Sequence, residues 1–153
     1  MTLPQAIHAM RRAVEDLIFP PLSAAEKQKV WTYFDSACAY CGRKLERSSR
    51  EGHIDHIEAR RNGGVNNLGN CVLACRECNG DEKRDNPWEA FLKLKCPDNS
   101  TFTLRRGKII SWQSQPATKK PKALSEDALL AKRRVEVVIR TFQKEFRELR
   151  AKI

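Results

Sequence analysis

Residues 52–83, GHIDHIEARRNGGVNNLGNCVLACRECNGDEK, decide the fold. Two short segments, HIDHI at 53–57 and NCVLA at 70–74, predict β-strands. The stretch between them is rich in glycine and asparagine, which favour turns, and it predicts a loop. A short helix is predicted to follow, from about Arg76 to about Arg84. The order strand, strand, helix predicts a small ββα unit.

The same stretch concentrates side chains suited to phosphodiester hydrolysis. It contains the pair Asp55-His56, then Asn70 at the start of the second predicted strand and Asn79 near the start of the predicted helix. The reaction needs a deprotonated water, a Lewis acid on the phosphate and stabilisation of the leaving oxygen. Histidine titrates near neutrality, and carboxylate and amide oxygens suit magnesium or manganese. Residues 55 and 56 of a regular strand face opposite sides, so both reach one phosphate only if the strand ends or twists there.

Four of the six cysteines form two CxxC pairs separated by 33 residues: Cys38, Cys41, Cys75 and Cys78. Structural zinc prefers four tetrahedral ligands, commonly thiolates, and each CxxC turn offers two. No secretion signal is evident, which favours metal over disulfides. We therefore predict a structural Zn²⁺ site rather than four unmetallated buried cysteines. Cys71 has no CxxC partner and is predicted to be a small core residue.

These segments together resemble the HNH endonuclease family, which has a ββα-metal fold. The matching residues are CAYCGRKL, IDHIEARRNGG, NNLGNCVLACRECN and Lys83, within about residues 30–95. The run NCVLACRECNGDEKRDNPWEAF is also similar to the asparagine-type HNH domains of CRISPR RNA-guided nucleases. The chain departs from the family pattern where Glu58-Ala59-Arg60 replaces an early proline. It departs again where Asn79 stands in place of a frequent final histidine.

The resemblance implies a metal-dependent DNA endonuclease that nicks or breaks both strands and leaves a 5′-phosphate and a 3′-hydroxyl. It implies that His56 is the general base and that Asp55 and Asn79 hold a catalytic Mg²⁺ or Mn²⁺. Asn70 is then the residue that braces the loop and helps to orient the histidine. A non-catalytic zinc-containing DNA-binding module or adaptor is the alternative function. Such a protein has no need of these four residues together.

Basic residues surround the predicted hairpin, and the net charge of +10 favours a polyanionic partner. Residues 1–115 hold 18 basic against 14 acidic residues, and residues 116–153 hold 11 against 5. Dispersed positive charge binds phosphates through counterion release, without reading sequence. The predicted DNA contacts are Arg43, Lys44, Arg47, Arg60, Arg61, Arg76, Lys83 and Arg84.

The flanks of the hairpin complete an α+β fold class. An amphipathic helix is predicted over 3–18, and a second helix runs from the capping box of Ser23 and Glu26 to about Phe34. Another short helix begins at Pro87. The run TFTLRRGKIISW (101–112) predicts a β-hairpin, and SQPATKKPKAL (114–124) predicts a polar linker.

A long final helix is predicted from about Ser125 to Lys152. Its apolar stripe has near-heptad spacing: Ala131, Val135, Val138, Phe142, Phe146 and Leu149. Three uses stay open: packing on the N-terminal helix, which is favoured, pairing with a second subunit as a homodimer, or lying along DNA.

Four segments are predicted on these grounds. They are an N-terminal helical segment (1–35), a zinc-stabilised nuclease core (36–96), a β-hairpin (97–115), and a basic linker with the C-terminal amphipathic helix (116–153). No apolar run is long enough to span a bilayer, so no membrane partner is expected. The N-terminus does not have the pattern of a signal peptide, and a cytoplasmic protein is expected.

Overall fold

A computed structural model of the chain describes residues 2–84, 86–115 and 126–152, without the side chains of Arg61, Asp81 and Ala128. It combines helices with a two-stranded sheet, and the predicted α+β class is confirmed. The chain divides into two compact units, Met1–Pro20 with Pro121–Ile153, and Pro21–Lys120. Among the helices that the structure describes, none is both long enough and apolar enough to cross a bilayer.

The larger unit begins with helix α2 (Ala24–Tyr33), which the predicted capping box starts. The Ser23 hydroxyl accepts a hydrogen bond from the Glu26 amide, and the Glu26 carboxylate accepts one from the Ser23 amide. These bonds satisfy backbone donors that a helix start leaves unpaired. Val30 and Trp31 are buried on the face that packs against the hairpin.

The hairpin consists of strands β1 (Gly52–His56) and β2 (Cys71–Cys75), which pair antiparallel with His56 opposite Cys71. Each strand lies one residue from its predicted position. Every residue of β2 is buried, so this strand forms the centre of the core. A Cβ added at Gly52 would lie 2.5 Å from a ring carbon of Trp31, so glycine is what allows α2 to pack this closely.

The segment after β2 winds as a π-helix, Glu77–Glu82, where the short helix was predicted. Its wide turn is closed by the Lys83 amide, which donates to the Cys78 carbonyl at 3.2 Å. The chain then leaves the helix through Arg84, whose φ of 47° is left-handed. Helix α3 (Trp88–Lys95) follows Pro87, as predicted.

The β-hairpin predicted over 101–112 is wrong, because helix α4 (Asn99–Gln113) occupies this stretch. The Asp98 carboxylate caps the helix by accepting from the Thr101 amide at 2.7 Å. Phe102 packs on the core, and Ile109 and Trp112 are buried in it, a spacing that fits the helical period of 3.6 residues. The threonines and isoleucines resembled strand residues, but this buried stripe and the cap decide for helix.

The smaller unit consists of helices α1 (Leu3–Ile18) and α5 (Glu126–Arg150), which pack against each other. The Arg11 guanidinium makes two bonds to the Glu136 carboxylate, at 2.6 and 3.1 Å. Ile7 and Ile139 are buried. Both helices were predicted, and packing within the chain is the use that α5 shows. Ser125, where this helix was predicted to begin, lies outside the described residues.

Candidate functional site

The four CxxC cysteines come together as one cluster, with their sulfur atoms all within 4.8 Å of one another. The Sγ atoms of Cys41 and Cys75 are 3.7 Å apart. A tetrahedral zinc with Zn–S bonds of about 2.3 Å requires sulfurs about 3.8 Å apart. The cluster is therefore positioned to bind a metal ion, and the donor set suits zinc.

The surroundings of each cysteine shift the pKa of its thiol. Within the cluster, hydrogen bonds from Cys38 and Cys78 lower the pKa of Cys41, whereas burial raises the pKa of Cys75 to about 11. Burial raises the pKa of Cys71, outside the cluster, to about 12. Cys71 is 1% exposed and stays a neutral thiol, which fits the small core residue that was predicted.

Asp55 is held on one side of β1 by two buried partners. Its Oδ2 accepts from the Tyr40 hydroxyl at 2.9 Å and lies 3.2 Å from the Lys83 ammonium nitrogen. Burial raises the pKa of Asp55, and the charge of Lys83 and the bond from Tyr40 oppose that rise. Its Oδ1 accepts no hydrogen bond from any residue that the structure describes. One oxygen is thus fixed and the other is available to a ligand.

Lys83 was predicted to contact DNA, and its position contradicts this. The side chain is 1% exposed, and its Nζ donates to the His56 carbonyl at 2.6 Å besides pairing with Asp55. An ammonium group with both of these partners inside the protein does not reach a phosphate at the surface. Lys83 instead joins the two residues at the end of β1.

His56 is the last residue of β1, so the strand ends where the two catalytic candidates require it to end. Its Nε2 lies 2.7 Å from Oδ1 of Asn66. An amide oxygen only accepts, so Nε2 is the donor of this bond, and in the neutral form of the ring the lone pair is then on Nδ1. The sequence indicated Asn66 only as a turn former, because no spacing rule links it to the histidine.

Asn70 ties together the loop between the strands. Its amide oxygen accepts from the Glu58 amide at 2.8 Å, and its amide nitrogen donates to the carbonyls of Glu58 and Val65, both at 3.1 Å. A Cβ added at Gly64 would overlap the Glu58 carbonyl, with 2.7 Å to its carbon. The loop that carries Asn66 is therefore tightly closed.

Asn79 is half-buried in the π-helix, directly after Cys78. This helix packs against β1. Its side chain makes no hydrogen bond to any residue in the described part of the chain, so its oxygen is available. The arrangement places an open amide on the element that borders Asp55.

The hairpin and the four cysteines match a known protein family. A sequence model described as HNH endonuclease matches residues 38–85. The match lies within the larger unit, Pro21–Lys120, which we call the HNH unit. A curated relative, the "SPbeta prophage-derived putative HNH endonuclease YoqL" of Bacillus subtilis (strain 168), is 30% identical over 95 residues. The match covers 56% of this chain and 38% of the relative, so the chain spans well under half of that protein.

Three predicted DNA contacts near the first CxxC turn have partners within the protein. Arg43 pairs with Glu77 at 2.5 Å, and Lys44 donates to a backbone carbonyl after α2 at 2.9 Å. The Arg47 guanidinium lies 6.0 Å from the centroid of the Trp31 ring. All three cations are exposed, so these contacts leave them accessible to a polyanion.

The other predicted contacts lie in the loop between the two strands and around the π-helix that follows β2. Arg76 and Arg84 are exposed, and Arg60 is half-buried in a short 3-10 turn. The side chain of Arg61 lies outside the description. His53 faces the same side of β1 as Asp55, and its Nε2 is buried without a hydrogen-bond partner among the described residues.

Proposed function

We propose that this protein is a metal-dependent DNA endonuclease. The observation that carries the proposal is the preorganised pair at the end of β1. Tyr40 and Lys83 hold Asp55, and Asn66 holds the imidazole of His56. Fixed polar groups of this kind reduce the reorganisation that a reaction would otherwise require. The HNH domain supports hydrolysis of a phosphodiester as the reaction.

His56 is the general base in this proposal. With its ring proton on Nε2, the imidazole takes a proton from the attacking water at Nδ1. Asn66 and the closed loop keep the ring from turning. The products are a 5′-phosphate and a 3′-hydroxyl.

The residues present fit a hard divalent cation beside His56. Asp55 offers its open Oδ1 and Asn79 an amide oxygen, which are donors that Mg²⁺ and Mn²⁺ prefer. When bound there, the cation would supply positive charge to the scissile phosphate. Asp55 and Asn79 hold it, and Lys83 balances the carboxylate charge from within the protein.

The four-cysteine cluster serves as a structural Zn²⁺ site. It has four sulfur donors and leaves no open position, which is the composition of a structural rather than a catalytic zinc site. A purely DNA-binding zinc module, the alternative function, would not need a held histidine next to a held carboxylate.

Double-strand breaks require a second active site or a second visit, because one HNH domain acts on one phosphate at a time. We propose that two copies pair through α5 for this purpose. The large apolar side chains that α5 exposes support such a seam: Leu129, Leu130, Val137, Val138, Phe142, Phe146 and Leu149.

Cleavage of supercoiled plasmid with Mg²⁺ or Mn²⁺ tests the function. We expect nicked product from the parent and a loss of on the order of a hundredfold or more for His56→Ala, with DNA binding nearly intact. Asp55→Ala and Asn79→Ala should also lose cleavage. His8→Ala, an exposed position on α1, is the matched control. Parental cleavage by His56→Ala would reject the assigned base.

A further inference from the structure

Tyr40 lies inside the first CxxC turn, between Cys38 and Cys41, and its side chain is fully buried. Its ring packs edge-on against Phe91, with centroids 5.2 Å apart. Its hydroxyl donates to Oδ2 of Asp55 at 2.9 Å. The backbone of the turn is fixed as well, because Arg105 donates to the Tyr40 carbonyl at 2.8 Å.

Lys83 approaches the same carboxylate oxygen from the second pair of cysteines. Its backbone amide donates to the Cys78 carbonyl at 3.2 Å. The position of Lys83 therefore depends on Cys78, which is a member of the cluster. Its ammonium nitrogen lies 3.2 Å from Oδ2 of Asp55 and 5.8 Å from the centre of the Tyr40 ring. The first CxxC turn therefore contributes Tyr40 to Asp55, and the π-helix that begins in the second CxxC turn positions Lys83.

We propose that Tyr40 and Lys83 are positioning residues that fix Oδ2 of Asp55 and so make the catalytic carboxylate depend on the four-cysteine cluster. This inference rests on the proposed function. With Oδ2 held twice, the carboxylate is oriented with Oδ1 toward the cation that Asp55 is proposed to bind. Partners of this kind affect metal affinity or activity about 10- to 100-fold when they are removed, although they touch neither metal nor substrate.

In this proposal the cysteine cluster affects Asp55, whereas loss of a contact to Asp55 does not affect the cysteine cluster. Loosening the cysteine cluster displaces Tyr40 and Lys83 and disorders Asp55. Removing the Tyr40 hydroxyl alone leaves the cysteines and the core intact, because phenylalanine fills the same volume. The first change should cost both metals, and the second should cost only the divalent cation beside His56.

The experiment compares Tyr40→Phe with the parent, both loaded with zinc. Binding of Mn²⁺ is measured by calorimetry, with Asp55→Ala as the baseline, and plasmid nicking is measured against Mn²⁺ concentration. Tyr33→Phe is the matched control, since its hydroxyl donates to the Lys108 carbonyl at 3.0 Å, away from Asp55. We expect about 10-fold weaker Mn²⁺ binding for Tyr40→Phe, unchanged zinc content, and nicking partly regained at high Mn²⁺.

The outcomes separate the inference from the function. If the parent binds Mn²⁺ and nicks, and Tyr40→Phe does both with parental affinity and rate, the inference is overturned and the function stands. If the parent neither binds Mn²⁺ nor nicks, both are overturned. Should Tyr40→Phe fail to retain zinc, Lys83→Gln in the same assay decides, and parental Mn²⁺ affinity there would also reject the coupling.

Discussion

The two compact units bury their apolar residues to very different extents. In the HNH unit, the described core runs without a break from α2 through both strands to α4, and it includes Val30, Tyr40, Leu73, Leu92 and Trp112. In the described part of the helical pair, only Ile7 and Ile139 are buried, while α5 leaves Phe142 44% exposed and Phe146 38% exposed. The HNH unit has a core and a four-cysteine cluster of its own, whereas two helices with so little burial gain little stability alone.

The largest effect on this difference between the units is expected from disrupting the four-cysteine cluster. Cys41→Ser should unfold or aggregate the HNH unit, because structural zinc supplies about 10 kcal/mol or more of folding free energy. Zinc analysis and thermal unfolding provide the measurement. Cys96→Ser, at a half-buried cysteine outside the cluster, should keep both zinc and the unfolding transition. A zinc-free parent that is indifferent to chelators would contradict the assignment.

A smaller effect is expected from the loop within the HNH unit. Gly64→Ala places a Cβ against the Glu58 backbone, which cannot yield as a side chain can. We expect a loss of at least about 2 kcal/mol and a large loss of nicking, because the loop also carries Asn66. Gly107→Ala, where an added Cβ meets nothing within 4 Å, should instead stabilise α4 by about 0.5–1 kcal/mol. Equal unfolding midpoints for the two variants would show that the loop is not tight.

Truncation after Gln115 tests what α5 adds. The HNH unit keeps its cysteines and its core, so it should fold and hold zinc. The net charge falls from +10 to about +4, and we expect weaker nicking and a shallower dependence of DNA affinity on salt. Affinity against salt concentration and the oligomeric mass are measured for both lengths. An unchanged salt slope rejects DNA contacts by the removed segment, and an unchanged number of subunits rejects pairing through α5.

The smallest effect concerns the ion pair within the helical unit. Glu136→Gln removes the carboxylate that Arg11 holds, and the expected loss is below about 1 kcal/mol, because both side chains are substantially exposed. Arg11 lowers the pKa of Glu136. The stabilisation is therefore present above the ordinary glutamate pKa and is lost as the pH falls through the lowered one.

Hydrogen exchange in α1 and α5 measures this effect for the helical unit alone. Exchange in Glu136→Gln should exceed that of the parent at neutral pH, and the difference should vanish in acid. Glu148→Gln is the control, since Glu148 pairs with Lys144 on the same helix, at 3.9 Å. Equal exchange in both variants at neutral pH would show that the Arg11 pair contributes nothing.

Local signals explain what the sequence could predict. Some signals act over only a few residues, so the sequence alone predicts the structure that they form. They are the cap at Ser23, the periodicity of α1 and the two CxxC turns. The strand predicted at 101–112 failed because threonine and isoleucine favour strands locally, while the tertiary burial of Trp112 decides for a helix. The partners of Asp55 lie 15 and 28 residues away in sequence, and only the folded hairpin brings them together.

The π-helix also sets a limit on insertions and deletions in this chain. Lys83 reaches Asp55 because its amide bonds to the carbonyl five residues back, in a turn one residue wider than that of an α-helix. Deleting a residue between Cys78 and Lys83 would tighten the turn and rotate the lysine by about 100° around the helix axis. The buried carboxylate would then lose its counter-charge while the cysteines stayed in place. The number of residues between Cys78 and Lys83 is therefore constrained, even though the exposed Gly80 between them tolerates a side chain.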